Sequence, residues 1–316
     1  MAQSAFPQDT QLTAIAIAVQ NRALIADEVL PRTVPLNKNA FKYQLYPVEQ
    51  FMTVPNTHVG RRSRVNQVDF HGEEKNDATE DYGLEHPLPQ SDIDNAPENT
   101  NIEGMTTEWL TGLVLLDREI RVAKKVFSAA SYGSNAETVT ASDRFDNPSS
   151  DPLGLMLDVL DRPIMRPNLI VIGQSEWRAM RTHPVIVKAV NRNSGDSGAV
   201  SKEAVAELLE IDKIIVGRSL VNISKPGQTA NIVQCWSGGL TAIYQDAAAA
   251  KISGLVDGAN VTFGFTAQTG QRIAGSDWDK DIGLRGGRRV RVGETVKEVI
   301  CAPSLGYFLK DVITPA

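Results

Sequence analysis

The sequence predicts an α+β protein, and three observations carry that prediction. The stretch 106–132 repeats apolar residues at steps of three and four, the period of one long amphipathic helix. Short apolar runs, NLIVIG at 168–173 and KIIVG at 213–217, have the length and composition of buried strands. Strict alternation in FKYQL at 41–45 and VTFGF at 261–265 marks strands with one covered face.

Composition fits a folded chain of that class. With 316 residues, 42% hydrophobic and 22% charged, the chain can bury a sizeable core as one elaborate domain or two ordinary ones. The formal charge of −6 argues against a protein that lives by coating nucleic acid, because phosphate binding needs a basic surface. Cys235 and Cys301 stand 66 positions apart, without metal-ligand spacing, and read as buried free thiols of a reducing compartment. No apolar run reaches the ~18 residues of a membrane span, and the N-terminus has no basic leader, so residence in the cytoplasm is expected.

In chain order, 9–30 is expected to form a first helix carrying Ile15, Val19, Leu24 and Ile25, ended by Pro31. A strand over 41–45 and a second over 65–70 follow, with the turn-rich GRRSR between them. The run HGEEKNDATEDYGLE at 71–85 is too polar for a core of its own and must lean on something else, and SDIDNAPENTN predicts one short helical turn. The long helix then has Thr106 as cap, Gly133 as stop, and Trp109, Leu113, Leu116, Ile120, Ala123, Phe127 and Ala130 on its inner face. Asp117, Arg118, Arg121 and Lys125 form its opposite face, either solvated or laid against another subunit. Helices at 152–160 and 175–180, a further turn at 185–190, a Gly/Ser-rich loop at 191–199 and a helix at 201–209 capped by Ser201 surround the two apolar strands. In that last helix, Ala204, Leu208 and Ile211 face inward. The remainder reads as strands at 231–245, 260–267, 290–301 and 306–313, with 270–289 a glycine-rich basic turn and 247–250 too short to classify.

No catalytic constellation is visible. His58, His71, His86 and His183 are isolated, no serine sits in a GxSxG elbow, and GLRGGRR at 283–289 lacks phosphate-loop spacing. No catalytic, cofactor-binding or metal-binding residue is therefore assigned, and no cofactor is expected. Charge clustering is more informative. Arg61, Arg62 and Arg64 form one basic knot and Arg285, Arg288, Arg289 and Arg291 another, while Glu73, Glu74, Asp77, Glu80 and Asp81 form an acidic stretch. Opposite clusters can satisfy each other between copies of one chain; the plainer reading is solvated loop ends, and DNA contact is disfavoured by the net charge.

The order of these parts, with LLDREIRVAKKVFSAASYG, PNLIVIGQSEWRAMRTHPVIVKAVN and RRVRVGETVKEVICAPSLGYFLKDV in sequence, resembles the major capsid proteins of tailed bacteriophages over nearly the whole chain. That resemblance implies a shell subunit with an N-terminal arm at 1–40 and an extended β-hairpin loop at 41–89. It implies a peripheral domain at 90–147 and 257–302 built on the spine helix, an α/β axial domain at 148–256, and a C-terminal strand and tail at 303–316. It implies self-assembly into hexamers and pentamers of an icosahedral shell around double-stranded DNA, built in the host bacterial cytoplasm. Scaffolding, portal and possible decoration proteins are the implied partners, with only weak non-specific contact to packaged DNA and no membrane. Some members cross-link a loop lysine to a neighbour's asparagine; Lys75 is the lone lysine between Lys42 and Lys124, but no partner is identified, and that chemistry is not carried over. Two rivals remain at this stage, an encapsulin-like cargo shell and a cytoplasmic α/β enzyme with a long lid.

Overall fold

The computed structural model describes residues 6–45, 52–69, 73–98, 100–191, 197–225, 227–246 and 262–315. The expectations for Phe70, His71, the centre of the 191–199 loop and the 247–250 run lie outside them.

The first expected helix divides in two. Helix α1 covers Thr10–Ala18, with the Asp9 carboxylate accepting from the Gln11 and Leu12 amides, and α2 is a single turn at Ala26–Val29. From Arg32 to Leu36 the chain runs beside a long strand, bridging at Arg32–Thr266 and Leu36–Thr269. Strand β1 (Ala40–Leu45) pairs antiparallel with β2 (Glu73–Ala78), and β3 (Glu80–Pro89) follows after one residue. This corrects the reading of 65–70 as a strand: Val65–Asp69 takes no strand conformation, and β1 finds its partner in the polar segment beyond. Polarity was the wrong guide there, because Lys42–Glu74 and Lys297–Glu80 ion pairs replace apolar contacts along these strands.

After the short α3 (Gln90–Asp94) comes the long helix α4, Ile102–Val126. It starts four residues before the expected Thr106, because Asn101 caps it by accepting from the Gly104 amide at 2.9 Å. Its last carbonyls are satisfied by Ser131 Oγ on Lys125 O and Tyr132 OH on Val126 O. Gly133 does take a left-handed φ of 58°, but beyond a 3₁₀ turn at Ala129–Ser131 that separates it from the α-helix.

A five-stranded mixed sheet forms the second half. Its order is β4 (Ala136–Thr138), β12 (Gly306–Lys310), β9 (Gly239–Ile243), β5 (Leu169–Gly173), β6 (Lys213–Gly217). One face is covered by α5 (Pro152–Asp161), α6 (Gln174–Thr182), α7 (Pro184–Asn191) and α8 (Lys202–Leu208), enclosing Met156, Leu160, Trp177, Met180, Ile186 and Leu209. Ser201 caps α8 as expected; Val205, Ala206 and Leu209 are its buried residues, with Ala204 and Leu208 at the margin. The other face packs on the end of α4 through Val122, Val126, Tyr132, Trp236, Phe263 and Phe308. Helices on both sides explain why β5 is apolar at every position. The expected 231–245 strand is two strands, β8 (Ile232–Gln234), in a hairpin with β7 (Leu220–Asn222), and β9.

The third sheet is antiparallel β10–β11–β3, with β10 at Gly264–Asp279 and β11 at Gly287–Ile300. The 270–289 stretch is therefore mostly strand. Gly270, at φ 64°, marks an irregularity that β10 passes through, and the turn itself is confined to 280–286.

Candidate assembly surfaces

Helix α4 carries the expected residues in a different orientation. Its buried side consists of Thr107, Leu110, Thr111, Val114, Leu115, Arg118, Glu119, Val122, Ala123 and Val126. Trp109 is 55% exposed and Leu113 37%, while Leu116, Ile120 and Phe127 are half-buried and Ala130 is exposed. Two apolar series run along this helix, and the sheet took the one beginning at Leu110 because Arg118 and Glu119 lie on the same side and have partners there.

Those partners make a charge cluster, centred on the buried Arg118 and Glu294, that ties the arm to the helix and the sheet. Arg118, 1% exposed, donates to Asp27 at 2.6 Å, to Thr266 Oγ1 at 3.0 Å and to Leu30 O. Arg32 spans Asp27 and Glu294, and Arg272 reaches Glu294 and Ala16 O. Burial pushes the Asp27 carboxyl up, but the Arg118 and Arg32 guanidiniums outweigh it and hold the group below its ordinary range. Arg121 stacks 3.5 Å above the Tyr82 ring and pairs with Asp117 and Glu298. The charged side of α4 is thus occupied within the subunit. Glu119, fully buried, accepts from the Ile25 and Ala26 amides, Ser219 Oγ and Trp236 Nε1. A sequence pattern gives no sign of this, since its donors come from three separate segments.

On the outer face of the third sheet, Glu85 is clamped by Arg289 at 2.8 Å and Arg291 at 2.6 Å; burial raises its pKa, and these two cations bring it below the ordinary value. Arg289 also pairs with Asp279, Arg288 with Glu103 at 3.1 Å, and Arg291 lies under the Phe6 ring. Glu74 pairs with Lys42, and Asp77 lies 4.0 Å from Lys297. The acidic and C-terminal basic clusters are therefore each engaged locally, and the chain does not bring them together as one pair of opposing patches. Arg61, Arg62, Arg64, Glu73 and Arg285 are exposed and have no ion-pair partner among the described residues. Around the first three, Val54 is 81% and Val65 74% exposed, with Met52, Val59 and Val68 also uncovered.

Among the described residues one serine–histidine pair is hydrogen-bonded, Ser150 Oγ and His183 Nε2 at 3.3 Å. His183 Nδ1 accepts from the Val185 amide, so the ring proton sits on Nε2 and is given to Asn147 O at 3.0 Å. That leaves no basic nitrogen facing the hydroxyl, which itself donates to backbone carbonyls; the pair staples a loop. Cys235 and Cys301 are free and half-buried, just past the ends of β8 and β11, and burial pushes the Cys301 thiol up to about 12. Among the described residues no three His, Cys, Asp or Glu side chains converge as a metal site, and no helix is long and apolar enough to cross a membrane.

The arrangement presents a braced helix–sheet body, an exposed arginine and valine segment, and an apolar helix stripe open to solvent. No protein-family model matches the chain. A curated relative, the major capsid protein of Pseudomonas phage JBD67, is 47% identical over 314 residues, covering 99% of both chains. Among solved structures, a phage-related protein from Bordetella bronchiseptica aligns over 99% of this chain and all of its own, with a TM-score of 0.76 at 19% identity. The capsid of the cyanophage P-SCSP1u aligns over 98% of this chain and 90% of its own, with a TM-score of 0.56 at 10% identity. These two likenesses concern the fold. The identity carried along the full length of the phage JBD67 protein decides the family: this chain belongs to the phage major capsid proteins.

Proposed function

We propose that the protein is the shell-forming subunit of a tailed bacteriophage head, closing with its own copies, as hexamers and pentamers, into an icosahedral container for double-stranded DNA. The observation that carries this reading is the full-length 47% identity to a phage major capsid protein. The exposed segment 52–69 adds to it, because a monomer gains nothing from five uncovered apolar side chains beside three arginines without ion-pair partners. The role is mechanical. Copies form rings through the 148–256 region as axial domain, to whose sheet β4 and β12 contribute strands, while the 90–147 and 257–302 regions with the spine helix form the periphery. The 1–40 arm is pinned by the Asp27–Arg118 cluster, and the 41–89 loop, rooted in its own subunit by the β1–β2 pair and by β3 on β11, reaches the next copy through its exposed middle. Many weak contacts then act as one, since each after the first is effectively intramolecular.

Scaffolding and portal proteins in the host cytoplasm, and a decoration protein outside, are the partners this reading adds. The net charge of −6 suits a wall over which DNA slides. The test is the mass of the full chain, alone and co-expressed with its neighbouring genes, by light scattering and negative-stain microscopy. Closed shells or rings of five and six are expected. A stable monomer or dimer under every condition overturns the reading, and shells found holding an enzyme cargo from an adjacent gene would favour a nanocompartment.

A further inference from the structure

The chain distributes its charge unevenly. Residues 162–202 and 213–245 together hold ten lysines and arginines against two acids, whereas the rest of the chain holds 22 against 36. The net charge of −6 is therefore an average over a basic part and a strongly acidic one. Of the two acids, Glu176 is buried and turned onto the Gly238 amide, and Asp196 lies outside the described residues. Three of the ten cations are used within the subunit: Arg162 by Glu137, Arg166 by Asp161 and Lys213 by Glu28. Arg178, Arg181, Lys188, Arg218 and Lys225 have no ion-pair partner among the described residues, and all but the half-buried Arg181 are exposed. Acidic side chains of the same helical layer stand on α5, Asp158, and on α8, Glu203 and Glu207, and none of them pairs with these five.

Local structure gathers these cations from adjoining elements. Gln174, Arg178 and Arg181, spaced by four and three, share one face of α6. Arg218, the first residue beyond β6, donates from Nε to Gln174 Oε1 at 3.0 Å, and Ser175 Oγ donates to Gln234 Oε1 at 3.2 Å. These bonds fix the root of the β7–β8 hairpin against the start of α6, and Lys225 stands in the turn of that hairpin. Lys188 lies on α7, which follows α6 after His183 and packs on it. The aromatic residues of the two stretches do not join the exposed face: Trp177 and Trp236 are buried, and Tyr244 is half-buried. Trp177 instead lies beneath the Arg181 guanidinium, 5.9 Å from its ring centre.

We infer that this face of α6, α7 and the β7–β8 hairpin holds the phosphate backbone of double-stranded DNA. The inference rests on the shell reading, which supplies the DNA, and it assigns the contact to a named surface of the subunit. The donors here are guanidinium and ammonium groups beside neutral amides and a hydroxyl, groups that take phosphate oxygens and carry no sequence information. Among the described residues of this face no exposed ring offers a base a stacking platform, so the backbone of a duplex fits it and an unpaired strand gains nothing more. From Gln174 to Arg181 the helix face runs about 10 Å, along which a duplex presents about six charges, so phosphates outnumber the cations that meet them. Such a sparse contact on an otherwise acidic subunit holds the duplex at intervals. Repulsion elsewhere keeps it off the wall, and each contact is weak enough to release while the DNA moves.

Fluorescence anisotropy of dissociated full-length subunits with labelled duplexes of two unrelated sequences tests the face. Both duplexes should bind equally within about twofold, and affinity should fall about 150-fold between 50 and 200 mM salt, the slope that four exposed cations give. The variant R178A/K188A/R218A/K225A, shown folded by circular dichroism, should lose at least about tenfold in affinity at 50 mM salt and most of the salt slope. R61A/R62A/R64A, which removes the other exposed basic cluster, should stay within about threefold of the original. In shells, acylation of Lys188 and Lys225, read by mass spectrometry, should be at least about fivefold slower when DNA fills them than when it has been released. Unchanged binding by the quadruple variant, loss of binding in the 61–64 variant instead, or equal acylation of filled and emptied shells overturns the assignment and leaves the shell reading standing. Failure of the chain to form any shell or ring overturns the shell reading, and the anisotropy series still decides whether this face binds a duplex.

Discussion

Glu119 is the residue on which the most depends, because a buried carboxylate is tolerated only where donors surround it. Here the Ile25 and Ala26 amides, the Ser219 hydroxyl and the Trp236 indole all point at it, so one side chain joins the arm, the spine helix and the loops beside the five-stranded sheet. Replacing it with alanine strands four donors at once, and Glu119→Ala should cost about 3 kcal/mol or more in denaturant unfolding; a loss under about 1 kcal/mol would mean the donors find other acceptors. Glu176 is the opposite case. It is 1% exposed, accepts from the Gly238 amide at 2.7 Å through one oxygen, and its other oxygen has no hydrogen-bond partner among the described residues. Burial raises its pKa, so the folded state binds a proton more tightly than the unfolded chain does. Its favourable contribution is present at acid pH and lost as pH rises from the ordinary glutamate range through the raised folded value. Glu176→Gln should therefore be at least as stable as the original at pH 7.5, with the difference shrinking towards pH 4. A thermal-melt series across that range measures it, and a Gln variant that loses stability at pH 7.5 would show the carboxylate to be used.

At the scale of elements, the spine helix is set by its ends as much as by its faces. Asn101 to alanine removes the cap on the Gly104 amide and should lower stability by about 1 kcal/mol without altering the oligomeric state; melting of the purified subunit measures the loss. The helix itself was legible from its period, as were β5, β6 and three of the four helices around them, because burial leaves an apolar record; α7 was read only as a further turn, since His183 and Pro184 interrupt the pattern before it. The covered side of α4 was not legible. Trp109, Leu113 and Leu116 make as good a stripe as Leu110, Val114 and Leu115, and only the placement of Arg118 and Glu119 against distant partners decides between them. Strands β2 and β3 were hidden for another reason: Lys42–Glu74, Arg291–Glu85 and Lys297–Glu80 do the work that valines do in ordinary strands, and such a pattern reads as loop. The charged clusters were found by sequence, but their pairing was not. Arg288 and Arg289 take partners on β10, β3 and α4, and proximity across a sheet register is invisible in the linear order.

For the whole molecule, assembly has to protect what the lone subunit leaves open. Trypsin cuts after lysine and arginine in segments that fit its cleft in extended form, and exposed stretches without regular structure are the ones that do. Arg61, Arg62 and Arg64 satisfy every condition: they are exposed, lie in no helix or strand, and have no ion-pair partner among the described residues. By contrast Arg118 is buried and Arg32 and Arg272 are half-buried and ion-paired in the charge cluster, and Arg288, Arg289 and Arg291 belong to β11. Dissociated subunits should therefore be nicked first within 61–64, giving fragments of roughly one fifth and four fifths of the chain, while the remaining core persists. On the proposed reading, in which a neighbour covers the segment in shells, the same cleavage should slow there by at least about tenfold, because it must wait for local release from a multivalent surface. Limited proteolysis of the two states, followed by mass spectrometry, separates the possibilities. Equal rates of cleavage at 61–64 in both would mean that the segment stays on the open surface of the shell, and the burial argued for it would be wrong.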